Sequence, residues 1–244
     1  LQDEVMRVTR PYMIYGAIVI LWAVLMIKSK FPKIANEDDG KTGKLANLIK
    51  YPHFTKGVIA QFFYVGAQVG IWSFFIQYVQ DYTGEPEKVA GGLLTGTLIT
   101  FGVARFLSTY FMKFIKANRL MGIYGTANVV LLAVGILIPG WVGLGAIFLT
   151  SFFMSLMLPT IFALGLKGLG PNTKLGGSLI VMAIIGGALF PPLMGIVAEE
   201  FDSMAIAYIV PRVSFVYIIY YSFVGSKPSG PLHPDTEEQP IVAH

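Results

Sequence analysis

Residues 57–80 read GVIAQFFYVGAQVGIWSFFIQYVQ, and this stretch decides the fold because it is long, apolar and free of charge. At a rise of about 1.5 Å per residue, a helix over this stretch would cross the hydrocarbon core of a bilayer. One face of that helix is nevertheless polar, since Gln61, Tyr64, Gln68 and Trp72 recur at helical spacing. Amides in hydrocarbon are costly without partners, so we expect this face to point into protein or into a water-filled cavity.

Two uses of this polar face stay open at the level of sequence. The glutamines would hold neighbouring helices together, which is a common role of polar residues in membranes. Interleaved aromatic and amide side chains also suit a sugar site. Flat rings cover the C–H faces of a sugar, and amides bond its hydroxyl groups.

Composition places the chain among polytopic membrane proteins. It is 55% hydrophobic and 13% charged, whereas soluble domains are about 25% charged. It has no cysteine, and His53, His233 and His244 lie apart in polar segments, so we predict neither a metal site nor thiol chemistry. No predicted span contains His, Cys, Asp or Glu, which argues against an enzyme. The net charge of +4 comes from loop lysines and does not indicate a nucleic-acid partner.

Seven apolar spans organise the chain as an all-α protein. The first covers residues 11–27, and the others have approximate edges at 57–80, 90–112, 120–138, 141–165, 175–198 and 204–224. The tail is rich in proline and polar residues, and we expect it to be disordered. We assign residues 1–27 to a periplasmic lead-in and first helix, 28–56 to a central cytoplasmic loop, 57–224 to a six-helix bundle and 225–244 to a cytoplasmic tail.

Loop charge predicts the orientation of these spans. Most bases lie on one set of connections, which holds the lysines of 28–56 and then Lys113, Lys116, Arg119, Lys167, Lys174 and Lys227. This side is predicted to be cytoplasmic. All Asp and Glu residues fall outside the predicted spans. Since proton-coupled transporters usually carry the proton on a buried carboxylate, either this chain is not proton-coupled or the carrier lies on a missing part.

Interruptions within the spans have two interpretations each. Bends are expected in two spans, one at Pro159 and one at Gly186 and Pro191. These bends would either serve gating or be ordinary kinks of packed helices. Arg105 lies on one face of its span with Thr97 and Phe101. It would either extend to the cytoplasmic interface or bond carbonyl groups or a ligand at an inner gate.

Three segments carry a resemblance to a known family: QFFYVGAQVGIWSFFIQY (61–78), LLTGTLITFGVARF (93–106) and MSLMLPTIFALGLKGLGPNTKLGGSLIVMAIIGGALFPPLMG (154–195). In order and spacing they resemble the fucose–proton symporter family of the major facilitator superfamily, over most of residues 11–224. The resemblance implies a fold of twelve helices in two halves. This chain resembles family helices 6–12, which are the sixth helix, the central loop and the C-terminal half.

The resemblance also implies particular site residues. Gln68 and Trp72 match cavity-lining positions, Phe101 matches an aromatic that packs by the sugar, and Arg105 matches an arginine one turn further in. Where fucose symporters have a tyrosine before Pro-Thr-Ile-Phe, this chain has Leu158, so a related hexose stays open. We expect substrate contacts from Gln61, Tyr64, Gln68, Trp72, Thr97 and Phe101, and gating or structural roles for Arg105, Pro159 and Pro191.

The implied function is symport of a monosaccharide, L-fucose first, with a proton as the coupling ion and no cofactor. Transport would proceed by alternating access in a bacterial inner membrane, with the C-terminus in the cytoplasm. The implied partners are the sugar, the lipid bilayer and a missing N-terminal half, which would hold the proton-carrying acids. A proton-independent facilitator, a glucose/galactose permease and a non-transporting half transporter are the alternatives.

Overall fold

The computed structural model describes residues 13, 16–18, 20–22, 24–25 and 48–228, and it divides the chain into two units, Leu1–Lys41 and Thr42–His244. In the first unit, each described residue from 13 to 25 is helical, in agreement with the predicted span at 11–27. Most of the central loop and of the C-terminal tail lies outside the described residues.

The second unit contains helices that are long and apolar enough to cross a membrane, and its described residues form no strand. They are Pro52–Thr83 (α1), Glu87–Phe111 (α2), Ala117–Leu137 (α3), Trp141–Leu166 (α4), Gly170–Glu200 (α5) and Met204–Gly225 (α6). The six spans predicted after residue 56 are therefore confirmed as helices.

Local signals set the ends of α1 beyond the predicted span. The helix begins with Pro52, because the first turn of a helix leaves its N–H groups without intrahelical acceptors and proline has no N–H to leave unpaired. It ends before Gly84, which adopts the left-handed φ of 72° that caps a helix. Asp81 therefore lies in the last turn of α1, and Glu199 lies in the last turns of α5. The prediction that every acid falls outside the spans is corrected at these helix ends.

Three of the helices are not regular along their length. Helix α4 consists of two α-helical segments, Trp141–Met154 and Met157–Leu166, and Pro159 lies in the first turn of the second. In α5 the irregular turn is the 3-10 stretch Ala183–Ile185, and the prolines lie inside the α-helical segment that follows. Helix α6 ends in the π-helical turn Tyr221–Gly225.

Helix α1 is the centre of the bundle. It packs against α2, α4, α5 and α6, and it is the most buried of the six helices, whereas α2 and α5 are the least buried. Glycine allows the close approach of α1 and α5: a Cβ at Gly186 would collide with the backbone carbonyl of Phe62, and one at Gly66 with the ring of Phe190.

Charge is separated between the two ends of the bundle. The start of α1, the α2–α3 and α4–α5 connections and the end of α6 lie together at one end of the bundle. For example, the Tyr217 hydroxyl on α6 donates to the Lys56 carbonyl on α1 at 3.4 Å. This basic end holds Lys50, Lys56, Lys113, Lys116, Arg119, Lys167, Lys174 and Lys227. Every acid within residues 48–228 lies at the opposite, acidic end: Asp81, Glu85, Glu87, Glu199, Glu200 and Asp202.

Candidate functional site

An aromatic pair joins α1 to α2 beside α4. The rings of Trp72 and Phe101 meet edge to face, with centroids 5.2 Å apart and an interplanar angle of 88°. The indole Nε1 of Trp72 donates to the Ser151 hydroxyl at 3.1 Å. Both rings are only half-buried, so the pair offers apolar surface in a fixed orientation.

Arg105 extends this group by one turn of α2. Its guanidinium carbon lies 5.4 Å from the centroid of the Phe101 ring, within range of a cation–π contact. Its Nε donates to the carbonyl oxygen of Ser155 at 3.3 Å, and the side chain is exposed. The contact with Ser155 is compatible with the interpretation in which Arg105 bonds a carbonyl group, and the exposure of the side chain is compatible with extension to the interface, so both stay predictions.

The predicted polar face of α1 divides into two parts. Tyr64 is fully buried, and its hydroxyl donates to the carbonyl of Met154 at 2.9 Å, which fastens α1 to α4. Gln61 is 2% exposed and Gln68 is 8% exposed, while Trp72 at the far end reaches the surface. The helix-holding interpretation therefore fits Tyr64, and the binding interpretation fits Trp72.

Thr97 lies apart from the accessible surface. It is fully buried, and its hydroxyl donates to the Leu94 carbonyl of its own helix at 2.8 Å. Pro159 is exposed and Pro191 is half-buried, on α4 and α5 respectively. The structure thus brings Trp72, Phe101 and Arg105 together and leaves Thr97 and Pro191 outside that contact group.

Sequence reasoning missed the serines of α4. Ser151 anchors Trp72, and the Ser155 hydroxyl lies 3.2 Å from that of Ser108, which in turn lies 3.2 Å from the Tyr124 hydroxyl. These buried contacts tie α2, α3 and α4 together. The available signal was the spacing of Ser151 and Ser155, which places both hydroxyl groups on one face of a helix.

A cleft opens at the acidic end, between α1 and α5. Its volume is about 760 Å³, and its lining includes Phe74, Gln77, Asp81 and Glu199. It lies on the face of α1 away from Trp72. Among the described residues, no group of acids or histidines has the arrangement of a metal site.

Comparison with known proteins gives a consistent group of relatives, although no family model matches. The chain is 38% identical to the L-fucose-proton symporter of Escherichia coli (strain K12) over 225 residues, which are 89% of this chain and 51% of that protein. It is 32% identical to the L-fucose-proton symporter of Haemophilus influenzae, over 90% of this chain and 53% of that protein. It is also 32% identical to a putative glucose/galactose transporter of Helicobacter pylori (strain J99), over 90% of this chain and 55% of that protein.

The fold comparison agrees with the sequence comparison. A crystal structure of a major facilitator superfamily transporter, FucP, in the outward conformation matches with a TM-score of 0.79 and 37% identity. The match covers 88% of this chain and 54% of that one. The chain thus spans about half the length of the relatives it matches, and those relatives are transporters rather than enzymes.

Proposed function

Because the chain is a homologue of the L-fucose–proton symporters and glucose/galactose transporters of the major facilitator superfamily, we propose that it acts in proton-coupled uptake of a monosaccharide. L-Fucose is the first candidate substrate. The chain would contribute the six-helix bundle at 57–224, and sugar would cross by alternating access about a site near the middle of the bilayer.

The observation that carries this proposal is the half-buried pair of Trp72 and Phe101. A ring fixed by a hydrogen bond to Ser151 offers a flat apolar face to the C–H groups of a sugar. Gln68, one turn before Trp72 on the same face, supplies an amide for sugar hydroxyl groups. Arg105 lies one turn beyond Phe101, and among the described residues only its Nε is hydrogen-bonded, so its other N–H groups could bond a sugar.

The face that bears Arg105 requires a cover within the membrane. An exposed guanidinium in hydrocarbon is unfavourable, and α2 is the least buried of the six helices. We assign this cover to a second half of the transporter, which would also hold the carboxylate that carries the proton. Among the described residues, the acids lie at helix ends and connections and not in the middle of a span.

The proposed location is a bacterial inner membrane, with the basic end of the bundle in the cytoplasm. The separation of bases from acids between the two ends supports this orientation, because lysine-rich connections stay on the cytoplasmic side. Helix α6 ends at the basic end, so we expect the tail after it to be cytoplasmic.

A hexose other than L-fucose is the second candidate substrate. Leu158 stands where the resemblance places a tyrosine, so one hydroxyl group is missing, and the relatives include proteins described as glucose/galactose transporters. Competition of labelled L-fucose with unlabelled galactose or glucose would separate these two substrates.

The deciding experiment begins with the size of the native gene product, detected in membranes by an antibody to the tail. A band well above 26.7 kDa would mean that this chain is half of a larger transporter. A band at 26.7 kDa would mean that transport requires a separate partner chain. Labelled L-fucose counterflow with the natural product then tests transport. Alkalinisation of the medium on sugar addition supports symport. Counterflow without alkalinisation supports a proton-independent facilitator. The absence of counterflow for every tested sugar would contradict the proposal.

A further inference from the structure

The short connection between α2 and α3 carries exposed aromatic and basic side chains together. Phe114 is 72% exposed and Tyr110 is 54% exposed, and their ring centroids lie 5.4 Å apart. The Lys113 ammonium lies 5.7 Å from the centroid of the Tyr110 ring. Lys116 and Arg119 follow, both exposed. We call Tyr110, Lys113, Phe114, Lys116 and Arg119 the connector patch.

Within residues 48–228, the cations of the connector patch have no acidic side chain nearby. The sequence contains no Asp or Glu between Lys88 and Glu199, and among the described residues Lys113, Lys116 and Arg119 form no ion pair. Lys116 caps the N-terminus of α3 without a side-chain hydrogen bond, and Arg119 lies in the first turn. The helix dipole is positive at this end, so these like charges repel one another and the helix end. Since no acid among the described residues complements these charges, an anionic occupant would do so.

The position of the connector patch along the helices identifies the source of that anion. Helix α2 is long and apolar enough to cross a membrane and ends at Phe111, and Phe106, little more than one turn earlier, is 80% exposed. Tyr110 and Phe114 therefore lie at the boundary between hydrocarbon and headgroups, where aromatic rings concentrate. The anions concentrated at that depth are phospholipid headgroups, which attract basic residues beside a membrane-spanning helix.

We propose that the connector patch binds the headgroup of an anionic phospholipid. Lys113, Lys116 and Arg119 would hold the phosphate, and the rings of Tyr110 and Phe114 would rest against the upper acyl chain. The lipid would neutralise the positive start of α3 and fix the angle between α2 and α3. This inference is independent of the sugar site, because none of these residues contacts Trp72, Phe101 or Ser151.

A matched pair of variants tests the proposal. Lys113→Gln with Lys116→Gln removes two charges from the connector patch. Lys167→Gln with Lys174→Gln removes two exposed charges from the α4–α5 connection of the same basic end, where the sequence LKGLGPNTK offers no aromatic residue. The natural gene product is purified and titrated with phosphatidylglycerol or phosphatidylcholine, and bound lipid is measured by native mass spectrometry.

Each lysine near an anionic surface contributes about fivefold in affinity, so the connector variant should bind phosphatidylglycerol at least about tenfold more weakly. The control variant should change by about twofold or less. Tyr110→Ala with Phe114→Ala should also weaken binding, with the charge unchanged. If the double lysine variant unfolds, Lys116→Gln alone provides the same test at about fivefold.

Three results would overturn the proposal. One is equal loss in the connector and control variants, which would indicate only the general charge of the basic end. Another is unchanged affinity in the connector variant. The last is full displacement of phosphatidylglycerol by millimolar inorganic phosphate, which would indicate a soluble anion and not a lipid. Labelled-sugar binding is measured on the same samples, so a failure here is distinguishable from a failure of the transport proposal.

Discussion

Arg105 on α2 donates a hydrogen bond from Nε to the carbonyl oxygen of Ser155 on α4, at 3.3 Å. In a regular helix that carbonyl would accept from the N–H of the residue four positions later. Here that residue is Pro159, which has no N–H. The two segments of α4 meet at this point, and the guanidinium supplies the donor that the proline lacks. Arg105 and Pro159, which the sequence indicates as separate gating or structural residues, act at one carbonyl group.

A double-mutant cycle tests this relationship. Arg105→Ala should lower the free energy of unfolding by about 1.5 kcal/mol, the low end for a hydrogen bond that involves a charged group, because the side chain is exposed. With Pro159→Ala already in place, the new N–H can serve Ser155, and the loss on removing Arg105 should shrink by about 1 kcal/mol. The measurement is denaturant unfolding in detergent. Equal losses in both backgrounds would show that the two residues act independently.

Removal of the Ser151 hydroxyl should loosen the Trp72 indole without removing it. Ser151→Ala should weaken sugar affinity by about fivefold, which corresponds to about 1 kcal/mol for a neutral hydrogen bond. The matched control is Thr150→Val. That hydroxyl is also buried, but it donates to the Ile147 carbonyl of its own helix at 2.6 Å. Binding of labelled L-fucose to membranes with the natural gene product provides the readout, and equal effects of both substitutions would contradict a positioning role for Ser151.

Trp72→Ala should reduce sugar affinity more than it reduces stability. The indole is half-buried, so its removal opens little core volume, yet it takes away the stacking face beside Phe101. Sugar binding and thermal unfolding are measured on the same preparation. A folded variant with normal affinity would exclude Trp72 from the site.

Gly186→Ala should destabilise the bundle by about 1–3 kcal/mol, the usual effect of overpacking. The added methyl group would meet the backbone carbonyl of Phe62, and a backbone group cannot rotate away as a side chain can. Gly92→Ala is the control, because no atom lies within 4 Å of its added Cβ, and it should be neutral or slightly stabilising. Similar unfolding temperatures for the two variants would show that α1 and α5 are more loosely packed than described.

Asn128→Leu should leave stability unchanged or raise it. Asn128 on α3 is fully buried, and neither its Nδ2 nor its Oδ1 has a hydrogen-bond partner among the described residues. Replacing an unsatisfied buried amide with an apolar group of similar size removes a desolvation penalty of about 1–3 kcal/mol. A clear decrease in the unfolding temperature would mean that the amide has a bound water or another partner in the membrane.

The sequence alone predicts the architecture well, because the relevant signals are local. Apolar runs long enough to span a bilayer identify the helices, and lysine placement identifies the basic end. Helix limits are less accurate. Pro52 and Gly84 extend α1 past the apolar run, and this brings Asp81 into a helix.

The sequence by itself determined that the chain is a helical membrane protein with a polar face on residues 57–80, since periodicity and hydropathy are properties of a single segment. Only the tertiary structure decided how two members of that face, Tyr64 and Trp72, are held. The Tyr64 hydroxyl donates to the Met154 carbonyl, and the Trp72 indole donates to the Ser151 hydroxyl. Both partners lie on α4, far along the chain from α1. A pattern within one helix reports neither its rotation nor its partners, because hydrogen bonds between helices depend on which faces pack together.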